Sequence, residues 1–416
     1  MIIGDRAGAS RQRGPGSDRP GWQSEAVTSP AVHPAASTGA GADQPVRCEA
    51  VIDLAAVRAN IVTLRSMLRP GTALMAVVKA DGYGHGAVQV ARAAVAAGAD
   101  SLGVATLEEA VALRDAGIHT PLVAWLWVPD QYPGPALGAG VQVGVSSVQH
   151  LDAVLAVGGD SVASVHLKID TGLGRGGAAG TDIGRLLDAA GRAAAAGRLD
   201  VVGLMSHLAN ADVPGDQSVA EQAAAFAEVR RAAAEVGIRP RYAHLANTAA
   251  AIVHPRTRLD LIRVGIGLYG LNPVAGPSQV SLRPAMTLRA RVALTKRVPA
   301  GQGVSYGLTY RTGTDTTLAL VPLGYADGVP RLASNRAEVM ILGQRRRIAG
   351  RVAMDQFVID CGELAVAPGD EVLVFGPGDV GEPTAREWAD ACETIDYEIV
   401  TRIGPRTPRR YTGQQD

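Results

Sequence analysis

The sequence predicts an α/β fold, a (β/α)8 TIM-type barrel followed by a mostly-β C-terminal domain. Two observations carry that reading. Between residues 47 and 272, short β-branched runs alternate with Ala/Leu-rich stretches of helical period, the pattern of repeated βα units. After Asn272-Pro273 the period changes to alternating runs split by Gly, Pro and Asp, and long helical patterns become scarce. A doubly wound open sheet is the alternative for the first part, because pattern alone does not say whether the strands close into a ring.

Residues 1–46 are rich in Gly, Ala, Pro and Ser, and bury too little apolar surface to offset their ordering entropy. They read as a disordered tail. Arg6, Arg11 and Arg13 are not followed by an apolar run of signal-peptide length. Residues 47–53 form a short strand that the barrel count does not need, so it is available to pair with the C-terminal domain. Asp53 caps a helix whose Leu54, Val57, Ile61, Leu64 and Leu68 share one face, and Pro70-Gly71 ends it. The eight barrel strands are residues 74–78, 101–104, 122–126, 141–145, 163–169, 201–205, 241–245 and 259–264, with helices such as 87–97, 107–116 and 218–236 between them. In the second domain, residues 273–405, strands cover 287–294, 317–322, 338–342 and 371–375, and 383–392 is the main helix. Residues 406–416 read as a C-terminal tail.

Composition narrows the partners. Lys+Arg and Asp+Glu number 40 each in 416 residues, so no net field draws the chain to nucleic acid or to an anionic membrane. No run approaches the roughly 20 apolar residues of a membrane span. Cys48, Cys361 and Cys392 are widely spaced and lack a Cys-x-x-Cys pattern, which implies neither a disulfide framework nor a zinc site. No metal is expected, and a reducing cytoplasm fits.

Catalytic groups of such barrels lie at the C-terminal ends of the strands. Lys79 closes the apolar run Ala76-Val77-Val78, where an amine loses part of its hydration and becomes a usable nucleophile. Gly82, Gly84 and Gly86 in the following loop permit positive φ or close approach of backbone to a ligand. In the fifth strand His166, Lys168 and Asp170 share one face, which should be the lumen, and Arg175 follows. A plain Lys168–Asp170 ion pair is the structural reading of that pair. Later strands end at His207, at His244 with Asn247 and Thr248, and at Arg263 with Gly265 and Ile266. Loops after strands seven and eight commonly hold phosphate, through the Thr248 hydroxyl and the Gly265 and Ile266 amides here.

These motifs occur in one known order. Lys79 with its glycine loop, Lys168-x-Asp170-Thr171-Gly172-x-Gly174-Arg175, His207, His244-x-x-Asn247-Thr248, Arg263-x-Gly265-Ile266, Ser305-Tyr306-Gly307, Gly324-Tyr325 through Gly328, Met354-Asp355-Gln356 and Tyr397-Glu398 resemble those of alanine racemases over about residues 47 to 405. Leu173 stands where methionine is frequent. Thr248 stands where serine is frequent, with the hydroxyl kept.

The resemblance implies a pyridoxal 5'-phosphate enzyme that interconverts L- and D-alanine through a cofactor aldimine and supplies D-alanine for peptidoglycan. It implies Lys79 and Tyr306 as the two bases, Tyr306 arriving from the partner subunit of a homodimer, with Arg175 and His207 assisting. Lys79, Tyr83, His207, Asn247, Thr248, Arg263, Gly265, Ile266 and Tyr397 would hold the cofactor; Arg263 would face its pyridine nitrogen. Arg175, Tyr306, Tyr325, Met354 and Asp355 would meet the substrate. Lys168 matches a lysine that is often carbamylated by carbon dioxide. The rivals are a broader amino-acid racemase, a same-fold decarboxylase using a partner cysteine, whose surrounding pattern Cys361 lacks so that it reads as a strand-end residue, and a non-catalytic cofactor-binding protein.

Overall fold

The first strand, β1 (Cys48–Asp53), runs directly into α1 (Leu54–Ser66), and the side chain of Asp53 accepts the amides of Ala55 and Ala56 at the junction. Leu54, Val57, Ile61 and Leu64 of α1 are buried. This is a computed structural model, and it describes residues 46–157, 162–274 and 280–414. The expected tail over residues 1–46 lies outside them but for its last residue.

Eight parallel strands follow: β2 (Ala73–Val77), β3 (Ser101–Val104), β4 (Leu122–Ala124), β5 (Gln142–Val145), β6 (Ala163–Lys168), β7 (Leu199–Met205), β8 (Tyr242–His244) and β9 (Leu261–Val264). Their order is β8-β7-β6-β5-β4-β3-β2-β9, with Ala73 to Ala76 in register with Leu261 to Val264. The seam between β8 and β9 carries no regular ladder. It is held by the Asp260 amide on the Ala243 carbonyl (3.2 Å), the Arg263 amide on the Ala246 carbonyl (3.0 Å) and the Ala243 amide on Asp260 Oδ2 (2.8 Å). The sheet is therefore a nearly closed barrel, not an open doubly wound one. Between the strands lie a single turn α2 (Lys79–Tyr83), then α3 (Ala87–Ala96), α4 (Leu107–Asp115), α5 (Gly134–Gly138), α6 (Val148–Leu155), α7 (Thr181–Ala195), α8 (Gln217–Glu235) and α9 (Thr248–Val253). The lumen is filled by large side chains over missing ones: a Cβ at Gly103 would lie 2.5 Å from the Trp125 ring, and one at Gly203 2.0 Å from His166 Nδ1.

The second half is built on strands. β10 (Met286–Arg291) and β11 (Leu294–Val298) come from the run expected as one strand over 287–294. The chain changes sheets at Val292 and Ala293, whose amides bond to Asp370 and Leu320 carbonyls on different neighbours. Then come β12 (Gly303–Val304), β13 (Tyr310–Arg311), β14 (Thr316–Val321), β15 (Glu338–Ile341), β16 (Gln344–Arg347), β17 (Phe357–Asp360), β18 (Glu371–Phe375), α10 (Ala385–Ala391), α11 (Asp396–Thr401) and β19 (Arg409–Thr412). One sheet has the order β16-β15-β18-β10-β1-β19, so β1 is flanked by β10 and β19. The reading of 406–416 as a tail is thus corrected. Four residues of it pair in parallel with Ala50 to Asp53, and Arg410, which looks like solvated tail, reaches Glu49 at 3.2 Å. Among the described residues no helix is long and apolar enough to cross a membrane.

Candidate active site

Lys79 stands two residues past β2, with Val78 fully covered behind it. Burial lowers the affinity of its amine for a proton; Arg175 lowers it further and Glu109 works in the opposite sense. Ala80, Asp81, Gly82 and Tyr83 all have φ between +51° and +62°, so the chain makes a left-handed turn here. Three of those residues carry a Cβ, at about 1–2 kcal/mol each. The turn is fixed from every side. Gly82 and Gly84 amides bond to Val78 and Ala80 carbonyls at 2.9 and 3.0 Å, and Asp81 Oδ1 accepts from Ala87. His85 Nδ1 reaches the Gly82 and Tyr83 carbonyls. From the β-rich half, Arg409 Nε donates to the Gly84 carbonyl at 3.0 Å. Strain of this kind persists only where the surroundings hold it, and in folded proteins it clusters at functional sites.

The turn points Tyr83 at the ends of β8 and β9. A Cβ on Gly265 would lie 2.4 Å from the Tyr83 hydroxyl, so only a glycine leaves this hollow open. Thr248 Oγ1 accepts the Gly265 and Gly267 amides at 3.0 and 3.4 Å. Asn247 acts one step back: its Oδ1 accepts the Ala250 amide and caps α9. Tyr397 of α11 brings its ring within 6.3 Å of Tyr83. Burial pushes the Tyr83 phenol up to about 12 and raises that of Tyr397. Both are neutral donors at pH 7. The hydroxyls of Tyr83 and Thr248 and the short turn that follows Gly265 meet at one hollow, a cradle whose donors would suit an anion.

Deeper in the lumen Arg263 is 5% exposed. Its Nη1 donates to His244 Nδ1 and the His244 carbonyl, both at 3.0 Å. Its Nη2 donates to the Ser206 carbonyl (2.7 Å), the Leu245 carbonyl (3.1 Å) and His207 Nδ1 (3.2 Å). Burial pulls the guanidinium down to about 10, still a cation at neutral pH. His207 is pushed down to about 3 by burial and by Arg263, Arg175 and Lys168, so its ring is neutral.

Lys168 and Asp170 form no ion pair, which corrects the structural reading of that pair. Asp170 is turned into its own loop, accepting the amides of Gly172 (2.9 Å), Gly174 (3.1 Å) and Arg175 (2.8 Å). Burial opposes its charge, yet these donors and Leu173 hold the carboxyl below its ordinary range. The Lys168 amine is lowered by burial and by Arg175 and Arg263.

Tyr306, Tyr325 and Met354 lie on the β-rich half and are 71%, 41% and 53% exposed. Among the described residues no hydrogen bond, ion pair or ring contact joins them to the barrel residues above. Asp355 holds Arg406 at 2.7 Å, and the Met354 carbonyl accepts the Ala326 amide. Sequence reading missed Glu109, whose Oε1 accepts the Ala80 amide at 2.6 Å, and Gln142, which meets His166. The capping spacing Thr106-x-x-Glu109 was the available signal for the first. Among the described residues no cluster of His, Cys, Asp or Glu is arranged to hold a metal. A cavity of about 430 Å³ lined by Arg65, Asp100, Arg241 and Asp260 sits at the opposite, N-terminal end of the strands, the end that serves stability in barrels.

Family models for the N-terminal and C-terminal domains of alanine racemase match residues 52–273 and 285–411. The alanine racemase of Salinispora arenicola is 54% identical over 89% of this chain and 99% of its own length. That of Mycolicibacterium smegmatis is 48% identical over 88% of this chain and 96% of its own length. Among solved structures, the alanine racemase of D-cycloserine-producing Streptomyces lavendulae superposes with a TM-score of 0.86 at 50% identity, covering 90% of this chain and 99% of that one. The Bacillus anthracis enzyme, solved with bound L-Ala-P, gives 0.83 at 34%, covering 89% and 96%. With both domains matched in order and in fold, the chain belongs to the alanine racemase family.

Proposed function

We propose that the chain interconverts L- and D-alanine with pyridoxal 5'-phosphate, using Lys79 and Tyr306 of a second subunit as bases on opposite faces of the substrate Cα. The observation that carries this is the pairing of Lys79 with the cradle: a partly dehydrated amine at one strand end, and an anion hollow across the same mouth that a Cβ at Gly265 would fill. The donor set suits a phosphate ester and an aldehyde. Bound pyridoxal phosphate would supply the electron sink that acidifies the substrate Cα–H.

The chain's own residues do the rest. Tyr83, Thr248, Tyr397 and the Ile266 amide would hold the phosphate, with the Gly265 amide fixing the Thr248 hydroxyl. Arg263, with both Nη groups engaged, would offer Nε to the pyridine nitrogen as a donor that does not give up its proton, which limits the sink and with it side reactions. Lys79, losing its proton easily, would serve one face. Among the described residues Tyr306 has no hydrogen-bond or ion-pair partner for its phenol in its own chain, which supports a homodimer with shared sites. There Arg175 and His207 would lower the cost of ionising its phenol. Tyr325 and Met354, exposed on the same β-rich half, would complete the substrate pocket, with Asp355 fixing the loop through Arg406.

Cys361 is fully buried at the end of β17 and pushed up to about 11 by burial, which speaks against the decarboxylase reading that needs a presented cysteine acid. Three free cysteines, all buried, support a reducing cytoplasm, where D-alanine would feed peptidoglycan precursors.

Circular dichroism of L- to D-alanine conversion tests the proposal, with Lys79→Ala and Tyr306→Phe as controls. Each variant alone should be inactive, and mixing the two should restore part of the activity, since mixed dimers regain one intact site. Full activity of Tyr306→Phe in both directions would overturn the two-base assignment.

A further inference from the structure

Below Arg263 the lumen holds a file of polar side chains that the proposed reaction does not use. Arg263 Nη1 is 3.0 Å from His244 Nδ1, His244 Nε2 is 2.8 Å from His166 Nδ1, and His166 Nε2 is 2.8 Å from Gln142 Oε1. The two histidines are at most 1% exposed, and their rings meet edge to face at 5.0 Å. Four strands, β5, β6, β8 and β9, contribute one member each, and Gly203 on the fifth, β7, gives up its side-chain space to the His166 ring.

The arginine fixes the direction of every hydrogen in the file. A guanidinium only donates, so His244 Nδ1 must present its lone pair. Its hydrogen then sits on Nε2 and goes to His166 Nδ1. His166 keeps its hydrogen on Nε2 and gives it to the Gln142 carbonyl oxygen, which also settles the orientation of that amide. Reversing any link sets two donors face to face in a dry interior, at about 1–3 kcal/mol for the bond left unmade. An imidazolium fits at neither position, because a second N–H on His166 would turn His244 against Arg263. The charged groups around the file are Arg263 and, two residues along β6, Lys168. Among the described residues no carboxylate hydrogen-bonds to any of the four.

We propose that Gln142 is a positioning residue for Arg263: it ends the file on a neutral acceptor, so that both histidines stay uncharged and the guanidinium remains committed through its Nη groups with Nε turned to the site. The proposal rests on the assignment of Arg263 to the cofactor site, but its primary test needs neither cofactor nor turnover. A carboxylate at position 142 would accept the same hydrogen while favouring an imidazolium at His166, and so would set the file against the arginine.

The experiment is ¹⁵N spectroscopy of histidine-labelled protein free of cofactor, with resonances assigned by replacing the histidines singly. In the native protein His166 and His244 should both show the Nε2–H tautomer and no titration between pH 5 and 9. In Gln142→Glu a titration of His166 should enter that range, and racemase activity of the loaded enzyme should fall at least tenfold on its acid side only. Gln142→Met, which removes the acceptor without adding charge, should leave both rings neutral and the pH profile unchanged in shape. An Nδ1–H tautomer or a titration in the native protein would overturn the proposal, as would a Gln142→Glu protein with native spectra and a native pH profile. A His166 titration that appears in Gln142→Glu while racemase activity keeps its native level and pH profile would instead count against the assignment of Arg263 to the cofactor site.

Discussion

Ala80 donates its amide to Glu109 Oε1 over 2.6 Å, joining the residue after Lys79 to the first turn of α4. The other oxygen of the same carboxylate accepts the Ala105 and Thr106 amides at 2.8 and 3.1 Å. Glu109 therefore closes the capping box of its own helix and anchors the start of the left-handed turn at once. Its charge also raises the proton affinity of Lys79. A charge-assisted bond of this kind contributes about 1.5–3 kcal/mol. Glu109→Ala should lose that much stability in urea unfolding. It should also shift the pH at which Lys79 in cofactor-free protein becomes reactive to an amine reagent, read by mass spectrometry, to a lower value. An unchanged Lys79 titration would reduce Glu109 to a helix cap.

His85 gives a separate handle on the same turn. Its Nδ1 must be the donor, since both partners are carbonyls, and burial pushes the ring down to about 4. A histidine whose folded value is depressed contributes its full stability above the unfolded value of about 6.5. That contribution is lost as pH falls toward the folded value, by up to ~1.4 kcal/mol per pH unit. His166 and His207, both pushed down to about 3, behave alike. Stability should therefore fall steeply between pH 6 and pH 4. In His85→Asn the amide nitrogen still serves the two carbonyls but binds no proton, so the slope of unfolding free energy against pH should lessen by about one proton. An identical slope would show that His85 is protonated in the fold or neutral in both states.

How much of this was legible follows from how far apart the partners lie. The strands that carry Lys79, His207, His244 and Arg263 announce themselves by short-range period, because burial on both faces demands continuous apolar runs. Asp53 as a cap is equally local. Glu109 and Ala80 are 29 residues apart, and Gln142 and His166 are 24, so no window of helical or strand period contains both. The Lys168–Asp170 ion pair, the plain alternative to a modified lysine, fails for the opposite reason. Two opposite charges on one strand face suggest each other, but four backbone amides nearby compete better for the carboxylate than an amine crowded by arginines. Arg409 to Thr412 escaped because a strand paired on one side with arginines on it has no apolar alternation to show.

Gly265 separates the steric demand of the cradle from backbone strain. Its φ of −103° lies outside the left-handed region, so Gly265→Ala adds no positive-φ strain and should still fold. The added methyl, however, would fall 2.4 Å from the Tyr83 hydroxyl and into the hollow. The affinity of cofactor-free protein for pyridoxal phosphate, followed by fluorescence quenching, should drop at least tenfold, which corresponds to about 1.4 kcal/mol. Affinity within twofold of the native value would place the phosphate elsewhere.

Lys168 lends itself to a direct chemical test. Its carboxylate neighbour is occupied by loop amides, and burial with two guanidinium groups disfavours its ammonium form. A neutral amine in that setting attacks carbon dioxide, losing one proton as the carbamate forms. The product replaces a disfavoured cation with an anion between Arg175 and Arg263, so the same cations that weaken the ammonium would hold the carbamate. Protein equilibrated with ¹³C-bicarbonate should show one slowly exchanging carbonyl resonance that is missing in Lys168→Arg. Lys168→Ala should lose racemase activity and recover part of it in the presence of a small carboxylate such as acetate. An amine that shows no labelled resonance at saturating bicarbonate would leave Lys168 as a plain, weakly basic lysine, and Arg175 would then be oriented by Asp170 through the loop alone.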